Sequence, residues 1–421
     1  MEFSKKTFCS APWFSVRNHT DGKFMVCCNI DHDKTQYSGR TDYSLNSDLL
    51  TTWLNSDYVQ YLRQQLTAGN PLPECSSCWK KEEYNQVSLR QVINNTVTNN
   101  NNNLDKSWVA SFIKHKQDYR NDLLVTADVR CSNLCNFACA MCNPGSSSKI
   151  YTIWKKNQQH TLVKAKLSED PDYLTRIRSE FKKNNNYQHL RQILEQQPKQ
   201  IKLLGGEPLL DQTLIDELLA ADHSKSTNID LVFITNGSQD LVETHKKLSH
   251  FKSVSFVVSL EGIDQLQDYV RRGSNWATID ANISRYVDCY GTSNIYIHHT
   301  LQALTISKLV DLLEWSSQRD ISISLEVLVE PDYLSLSAVP TEIIEQAVVD
   351  ILKTSIKLAV SPHVTESHIN IDSLIKLIQS CKFDQTLHEK LKIFLNWYDA
   401  KQEWKTILPE WKMIKIDQAN P

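Results

Sequence analysis

The sequence predicts an α/β protein: a partial (β/α)6 barrel, preceded by a small cysteine-bearing α+β domain and followed by helices. Three observations predict it. Short apolar, β-leaning runs alternate with amphipathic stretches from residue 123 to about 330. Nine of the eleven cysteines fall in two groups on either side of a polar tract. That tract, NNTVTNNNNN at 94–103, has nothing to bury and reads as a loop or linker.

The expected organisation is a cysteine-bearing domain over 1–93, an Asn-rich linker over 94–122, the barrel over 123–340 and a helical region over 341–421. Within the barrel, 123–129 (LLVTADV) is the first apolar strand, and Ile201–Leu204 the second, ending in a Gly-Gly turn. Helical Thr213–Ala221 follows, then strands at Ile229–Ile234, Val254–Leu260, Ile295–His299 and Ile321–Leu328. Asp240–His250 and Ser307–Ser317 carry helical patterns between them. Continuous apolar strands separated by helices imply a parallel sheet covered by helices. About six units are visible, too few for a closed eight-fold barrel. From Thr341 onward the pattern is helical, and 385–406 is strongly amphipathic.

Composition excludes several classes. The 421 residues are 41% hydrophobic and 23% charged, with a net charge of −3. A chain of this length can build a core without disulfides. Mean hydropathy is −0.41, and no apolar run approaches the ~18 residues of a membrane span. The start, Met1-Glu2-Phe3-Ser4-Lys5-Lys6, lacks a signal-peptide core. A cytoplasmic protein with no membrane partner is expected. The balanced charge gives no general field for nucleic acid. Residues 155–202 do hold eleven Lys/Arg against five Asp/Glu. A solvated helical face explains that excess, and it does not support nucleic acid as a substrate.

In a reducing compartment, clustered cysteines read as metal or redox chemistry. Residues 135–142 read Cys-Asn-Phe-Ala-Cys-Ala-Met-Cys, a C-x3-C-x2-C. Three thiolates this close can bind three irons of one cubane and leave the fourth iron open to a small molecule. The loop also follows the first strand, where α/β barrels build their active sites. A zinc site, with Cys131 as fourth ligand, is the alternative reading of this spacing. Cys289 and Cys381 stand apart and read as buried structural thiols.

C-x3-C-x2-C is the defining motif of the radical SAM enzymes, which this sequence resembles over about residues 123–330. Gly205-Gly206-Glu207-Pro208 follows the second strand, as the family's GGE motif does. Ser259-Leu260-Glu261-Gly262 resembles its S-x-D-G segment, with Glu in place of Asp. The resemblance implies a [4Fe-4S] cluster on Cys135, Cys139 and Cys142. It implies S-adenosylmethionine (SAM) held by Gly205, Gly206 and Glu207 at the amino group. Ser259 with Arg271 or Arg272 would take its carboxylate or ribose, and Val327 and Leu328 would pack on the adenine. One departure is Met141, where the family often places an aromatic residue before the last cysteine.

In the N-terminal group, Cys9 and Cys27 are set as C-x12-G-x4-C about Gly22, and Cys75 and Cys78 form a C-x2-C pair. Asp21-Gly22 suits a hairpin between Ser15–Arg17 and Lys23–Val26, which would bring Cys9 and Cys27 together. This resembles the twitch form of the SPASM auxiliary-cluster domain, placed before the barrel. It implies a second [4Fe-4S] cluster on Cys9, Cys27, Cys75 and Cys78, with Cys28 as an alternative to Cys27. A four-cysteine zinc ribbon has the same spacing. Trp13, Trp53 and Trp79 read as core or cluster shielding.

The resemblance implies reductive cleavage of SAM to a 5′-deoxyadenosyl radical, which takes hydrogen from a substrate. It also implies an electron donor such as flavodoxin or ferredoxin. Peptides or proteins are the favoured substrate class, with sugars or nucleotides as others. A non-catalytic iron–sulfur redox or binding protein on the same fold is the rival reading.

Overall fold

A computed structural model describes residues 7–18, 24–31, 34–38, 49–83, 87–99, 124–183, 186–359, 371–399, 401 and 403–413. The chain falls into two compact units. The first comprises Met1–Asn133, Ile177–Phe233 and His245–Ser255; the second comprises Leu134–Arg176, Ile234–Thr244 and Phe256–Pro421.

The described residues contain eight strands. These are β1 (Ser15–Asn18), β2 (Phe24–Met25), β3 (Thr126–Arg130), β4 (Gln200–Leu204), β5 (Asp230–Thr235), β6 (Ser253–Ser259), β7 (Ile295–Leu301) and β8 (Ser322–Val327). In the first unit β1 and β2 pair antiparallel, with Arg17 opposite Met25. This is the expected hairpin, although its Asp21-Gly22 turn lies outside the described residues. β1 also runs parallel to β3, with Ser15 opposite Thr126. β3–β4 and β4–β5 are parallel. In the second unit β6–β7 and β7–β8 are parallel, with Ser259 opposite His298 and Leu301 opposite Val327. The six expected strands are thus β3 to β8.

Their burial differs from the expected pattern. β6 and β7 alternate buried with half-buried or exposed residues. Val254, Phe256, Val258, Ile295, Ile297 and Leu301 form a packed row. The intervening row includes Ser259, His298 and Thr300. Such alternation marks a sheet with one packed face and one open face.

The Asn-rich tract is also different from the expected loop. Residues 89–99 form a helix, Leu89–Asn99, which takes in the tract as far as Asn99; residues 100–123 lie outside the described residues. Arg90, Ile93 and Val97 make a buried stripe at helical spacing. Asn94 Nδ2 donates to the Phe8 carbonyl (3.1 Å), and its Oδ1 accepts from Ser10 N–H (2.8 Å). Packing against the N-terminal segment outweighs weak propensity here. Ahead of it, helix Asp57–Ala68 is capped by Ser56, whose Oγ accepts from Val59 N–H. Its buried Arg63 donates twice to the Pro12 carbonyl (3.0 and 2.8 Å).

After β8 the chain is helical as expected: Thr341–Ala359, Ile371–Ser380 and Gln385–Tyr398 are helices. Among the described residues, no helix is long and apolar enough to cross a membrane. Within the basic excess at 155–202, Lys155, Lys156, Lys164, Lys166, Arg176, Arg178 and Arg191 are exposed on helices, with ion pairs such as Lys166–Glu169 (3.1 Å), while Lys202 is half-buried in β4. Cys381 is half-buried and donates to the Leu377 carbonyl (3.4 Å). Cys289, expected to be buried, is exposed. It lies near the end of helix Trp276–Tyr290, whose buried face is made by Ile279, Ile283 and Tyr286 instead.

Candidate functional site

In the second unit, the loop carrying Cys135, Cys139 and Cys142 is pinned from three sides. Ser147 caps the helix Ser148–Lys156 and also donates to the Phe137 carbonyl (2.9 Å). Cys135 N–H donates to Ser148 Oγ (3.2 Å). Ala138 N–H and Ala140 N–H donate to the carbonyls of Arg272 and Val270, both at 2.8 Å. Asn236 Nδ2 donates to Asn136 Oδ1 (2.8 Å), and Asn136 Nδ2 to Ser238 Oγ (3.0 Å). The Asn236-Gly237 turn therefore also steadies the cysteine loop. Gly273, at φ +98°, lets the chain pass close: a Cβ there would stand 3.0 Å from the Asn136 carbonyl oxygen.

Cys139 and Cys142 line one cavity with Trp154 and Tyr398, and Cys135 lies within electrostatic reach of Cys139. Burial pushes the Cys139 thiol up to about 12. The Arg271 guanidinium opposes that shift, and the neighbouring Cys142 and Cys135 add to it. Arg271 Nη1 lies 3.8 Å from Cys139 Sγ. Its Nη2 donates to Glu261 Oε1 (2.8 Å). Phe137 N–H donates to Cys135 Sγ (3.4 Å). Iron binding would release the three thiol protons to solvent, the iron charge would offset the repulsion among the thiolates, and the Arg271 cation would stand beside Cys139. Arg271 Nε is buried and has no partner among the described residues. The donor set thus fits a thiolate-bound cluster.

Glu261, the family's Asp position, is fully buried. Burial raises its carboxyl to about 7 against the pull of Arg271. Thr300 N–H donates to its Oε2 (3.1 Å). His299 donates from Nδ1 to the Leu260 carbonyl (2.9 Å) and accepts at Nε2 from Thr305 Oγ1 (3.3 Å). Burial lowers its pKa to about 3, so the ring is neutral. His299 gave no signal in the sequence beyond its place in a strand. Ser259 ends β6, and Val327 ends β8 with Leu328 N–H donating to the Leu301 carbonyl (2.9 Å). Arg272 has another partner: its guanidinium lies over the Tyr398 ring at 3.9 Å and donates to the Tyr398 carbonyl. Arg271 and Arg272 thus each already have a partner within this unit.

In the first unit, Gly205-Gly206-Glu207 turns directly over the end of β3. Gly206 N–H donates to the Ser132 carbonyl (3.2 Å), and a Cβ on Gly205 would stand 2.8 Å from that oxygen. Glu207 is buried and accepts from Leu209 N–H (3.1 Å). Ser132 Oγ and Tyr187 Oη both donate to Asp211 (2.7 and 2.9 Å). Cys131 is buried, with its thiol 3.9 Å from the Asn186 carbonyl.

The same unit gathers the N-terminal cysteines. Cys9, Cys27, Cys75 and Cys78 line one cavity with Asn29, Trp79 and Arg90. Burial pushes Cys9 up to about 12, and raises Cys27 and Cys75 well above the ordinary thiol range. Cys28 is exposed, and its thiol turns to Asn29 Oδ1 (3.6 Å). Arg90, paired with Glu82 (2.9 Å), stands over Trp79 at 5.2 Å. Trp13 and Trp53 are buried in the core. Among the described residues, no three His, Cys, Asp or Glu side chains are drawn around a point suited to one metal ion. The four thiols meet instead as the walls of a cavity.

Among family models, residues 129–315 match the radical SAM superfamily. No protein of curated function matches the chain. Solved structures similar to it include anSMEcpe with bound AdoMet and Cp18Cys peptide, at 13% identity, 53% of this chain, 57% of that one and a TM-score of 0.36. Streptococcus suis SuiB bound to precursor peptide SuiA matches at 14% identity, 84% of this chain, 69% of that one and a TM-score of 0.36. TYW1 with a lysine-pyruvate adduct bound matches at 17% identity, 56% and 70% coverage and a TM-score of 0.31. The chain spans 57% of the length of the first of these. The likeness to the radical SAM superfamily thus rests on residues 129–315.

Proposed function

We propose that the protein is a radical SAM enzyme acting on a peptide or protein, with a [4Fe-4S] cluster on Cys135, Cys139 and Cys142 and a second on Cys9, Cys27, Cys75 and Cys78. The observation that carries this reading is the C-x3-C-x2-C loop with the Arg271 guanidinium 3.8 Å from the Cys139 sulfur. When bound, the cluster and SAM supply a 5′-deoxyadenosyl radical able to take hydrogen from a C–H bond. The chain's own work is binding and exclusion of water.

Glu207 would hold the amino group of SAM, with Gly205 and Gly206 bringing backbone close to it. Ser259 would serve the carboxylate or ribose from the open face of β6, and Val327 and Leu328 the adenine. Cys27 completes the second ligand set in this reading, since it lines the cavity and Cys28 does not. The twitch-like N-terminal placement supports a peptide or protein substrate, through the family resemblance. A one-electron donor of the flavodoxin or ferredoxin class completes the system. A cytoplasmic setting suits eleven free thiols.

The test is anaerobic reconstitution with iron and sulfide, then SAM and dithionite, assayed for 5′-deoxyadenosine. Wild-type protein should form it; Cys135→Ala, Cys139→Ala and Cys142→Ala should not, and Cys131→Ala should. A loaded wild-type protein that leaves SAM intact would favour a non-catalytic iron–sulfur protein.

A further inference from the structure

The guanidinium of Arg271 is held between two groups. Nη2 donates to Glu261 Oε1 (2.8 Å), and Nη1 lies 3.8 Å from Cys139 Sγ. The carboxylate behind it is itself fixed. Thr300 N–H donates to Glu261 Oε2 (3.1 Å), and Glu261 N–H donates to Gln267 Oε1 (2.7 Å). The Glu261 side chain is 0% exposed and that of Arg271 12%. The planar fork of arginine suits this double duty, which an ammonium could not reproduce. The backbone just before it is tied to the cysteine loop, through Ala140 N–H on the Val270 carbonyl (2.8 Å). A cation is therefore anchored from behind and presented to a ligand sulfur.

We propose that Arg271 is a positioning residue that sets the reduction potential of the cluster on Cys135, Cys139 and Cys142, and is not a ligand of the SAM carboxylate. This rests on the reading of the triad as a cluster site. The step is the uptake of one electron from dithionite or a donor protein; no bond is formed or broken and no proton moves. The reduced cluster carries one more negative charge. A fixed cation donating to a ligand sulfur stabilises that state and raises the potential, because hydrogen bonds to sulfur and local charge tune such clusters.

The test is an EPR-monitored redox titration of the reconstituted full chain at pH 8. The relevant signal is the one missing from Cys135→Ala protein. Arg271→Gln should lower the ratio of reduced to oxidised cluster about tenfold at a fixed poise, equivalent to ~59 mV for one electron. The signal of the second cluster should stay where it is. Glu261→Gln keeps the shape of the partner and removes its charge, so it should raise the ratio. This opposite shift decides the matter if Arg271→Gln protein does not load its cluster. An unchanged ratio in loaded Arg271→Gln protein overturns the proposal, and so does a lowered or unchanged ratio in Glu261→Gln protein. An unchanged ratio with SAM binding weakened tenfold would make Arg271 a carboxylate ligand after all. The readout is a potential, so inability to cleave SAM would leave this test standing.

Discussion

Glu261→Leu, examined at pH 8, removes the carboxylate from a buried ion pair and strands the Arg271 cation. The carboxyl sits at about 7, so at pH 8 it is mostly ionised in the native protein. Its side chain is fully buried and its partner 12% exposed, with 2.8 Å between them. Removing one partner of such a pair costs about 3–5 kcal/mol, because the remaining charge is left desolvated. Arg271 keeps one neighbour, the Cys139 sulfur at 3.8 Å. In the cluster-loaded protein that sulfur is anionic, which places the cost at the low end; in the apoprotein the thiol is neutral, which places it at the high end. Domains of 150–250 residues lose about 2–4 °C in Tm per kcal/mol, so the expected drop is roughly 6–20 °C. Glu261→Leu combined with Arg271→Met removes both charges and should recover most of the loss, as hydrophobic replacement of a whole buried pair is often neutral. Thermal melts of the four proteins by circular dichroism, with and without cluster, complete the cycle. A penalty for Glu261→Leu below about 1 kcal/mol, the range of exposed pairs, would refute the reasoning. So would a double variant in which the two losses simply add.

Three further outcomes follow from the geometry. Gly273→Ala forces a Cβ to 3.0 Å from the Asn136 carbonyl at φ +98°. It should cost about 1–2 kcal/mol and reduce iron loading, read from iron content and Tm. Cys27→Ala should lower the reconstituted iron from about eight to about four per chain, while Cys28→Ala should leave it near eight; zinc in place of iron at that site would point to a ribbon. Burial raises Glu261 from 4.5 to about 7, so the native state holds a proton that the unfolded chain has released between those values. That contribution is fully present below pH 4.5 and is lost as pH rises through 7. Subtracting the Tm–pH curve of Glu261→Gln from that of the wild type should show a fall over this window, and a rise would reverse the sign of the assignment.

What the sequence showed, and what it hid, divides along physical lines. The strands β3 to β8 were legible because each is an apolar run bounded by turn residues, and such runs need few long-range facts to be read. The cysteine loop stands out in the sequence because its spacing is local, with three cysteines inside eight residues. The choice between Cys27 and Cys28 was not local. It depends on which thiol faces Cys9, Cys75 and Cys78 across the fold, and neighbours in sequence differ there by burial alone. The Asn-rich tract misled because composition measures what a segment can bury by itself. Ile93 and Val97 supply a stripe just wide enough to pack, and Asn94 supplies the hydrogen bonds of the Phe8–Ser10 backbone. The arginines show a related limit. Twelve and thirteen residues after Ser259, both looked equally able to reach a carboxylate. Consecutive residues past a helix end point in different directions: Arg271 turns inward to Glu261 and Cys139, while Arg272 lies over Tyr398, a residue more than a hundred positions away. A family pattern transfers the position of a charge along the chain. It does not transfer the partner, which is set by packing contacts such as that of Tyr398. The glutamate standing where the family has aspartate bears on this: its Oε1 meets Arg271 Nη2 at 2.8 Å while its Oε2 takes the Thr300 N–H. The carboxylate therefore spans two fixed donors, and this chain's departure from the motif falls at the residue that decides where Arg271 points.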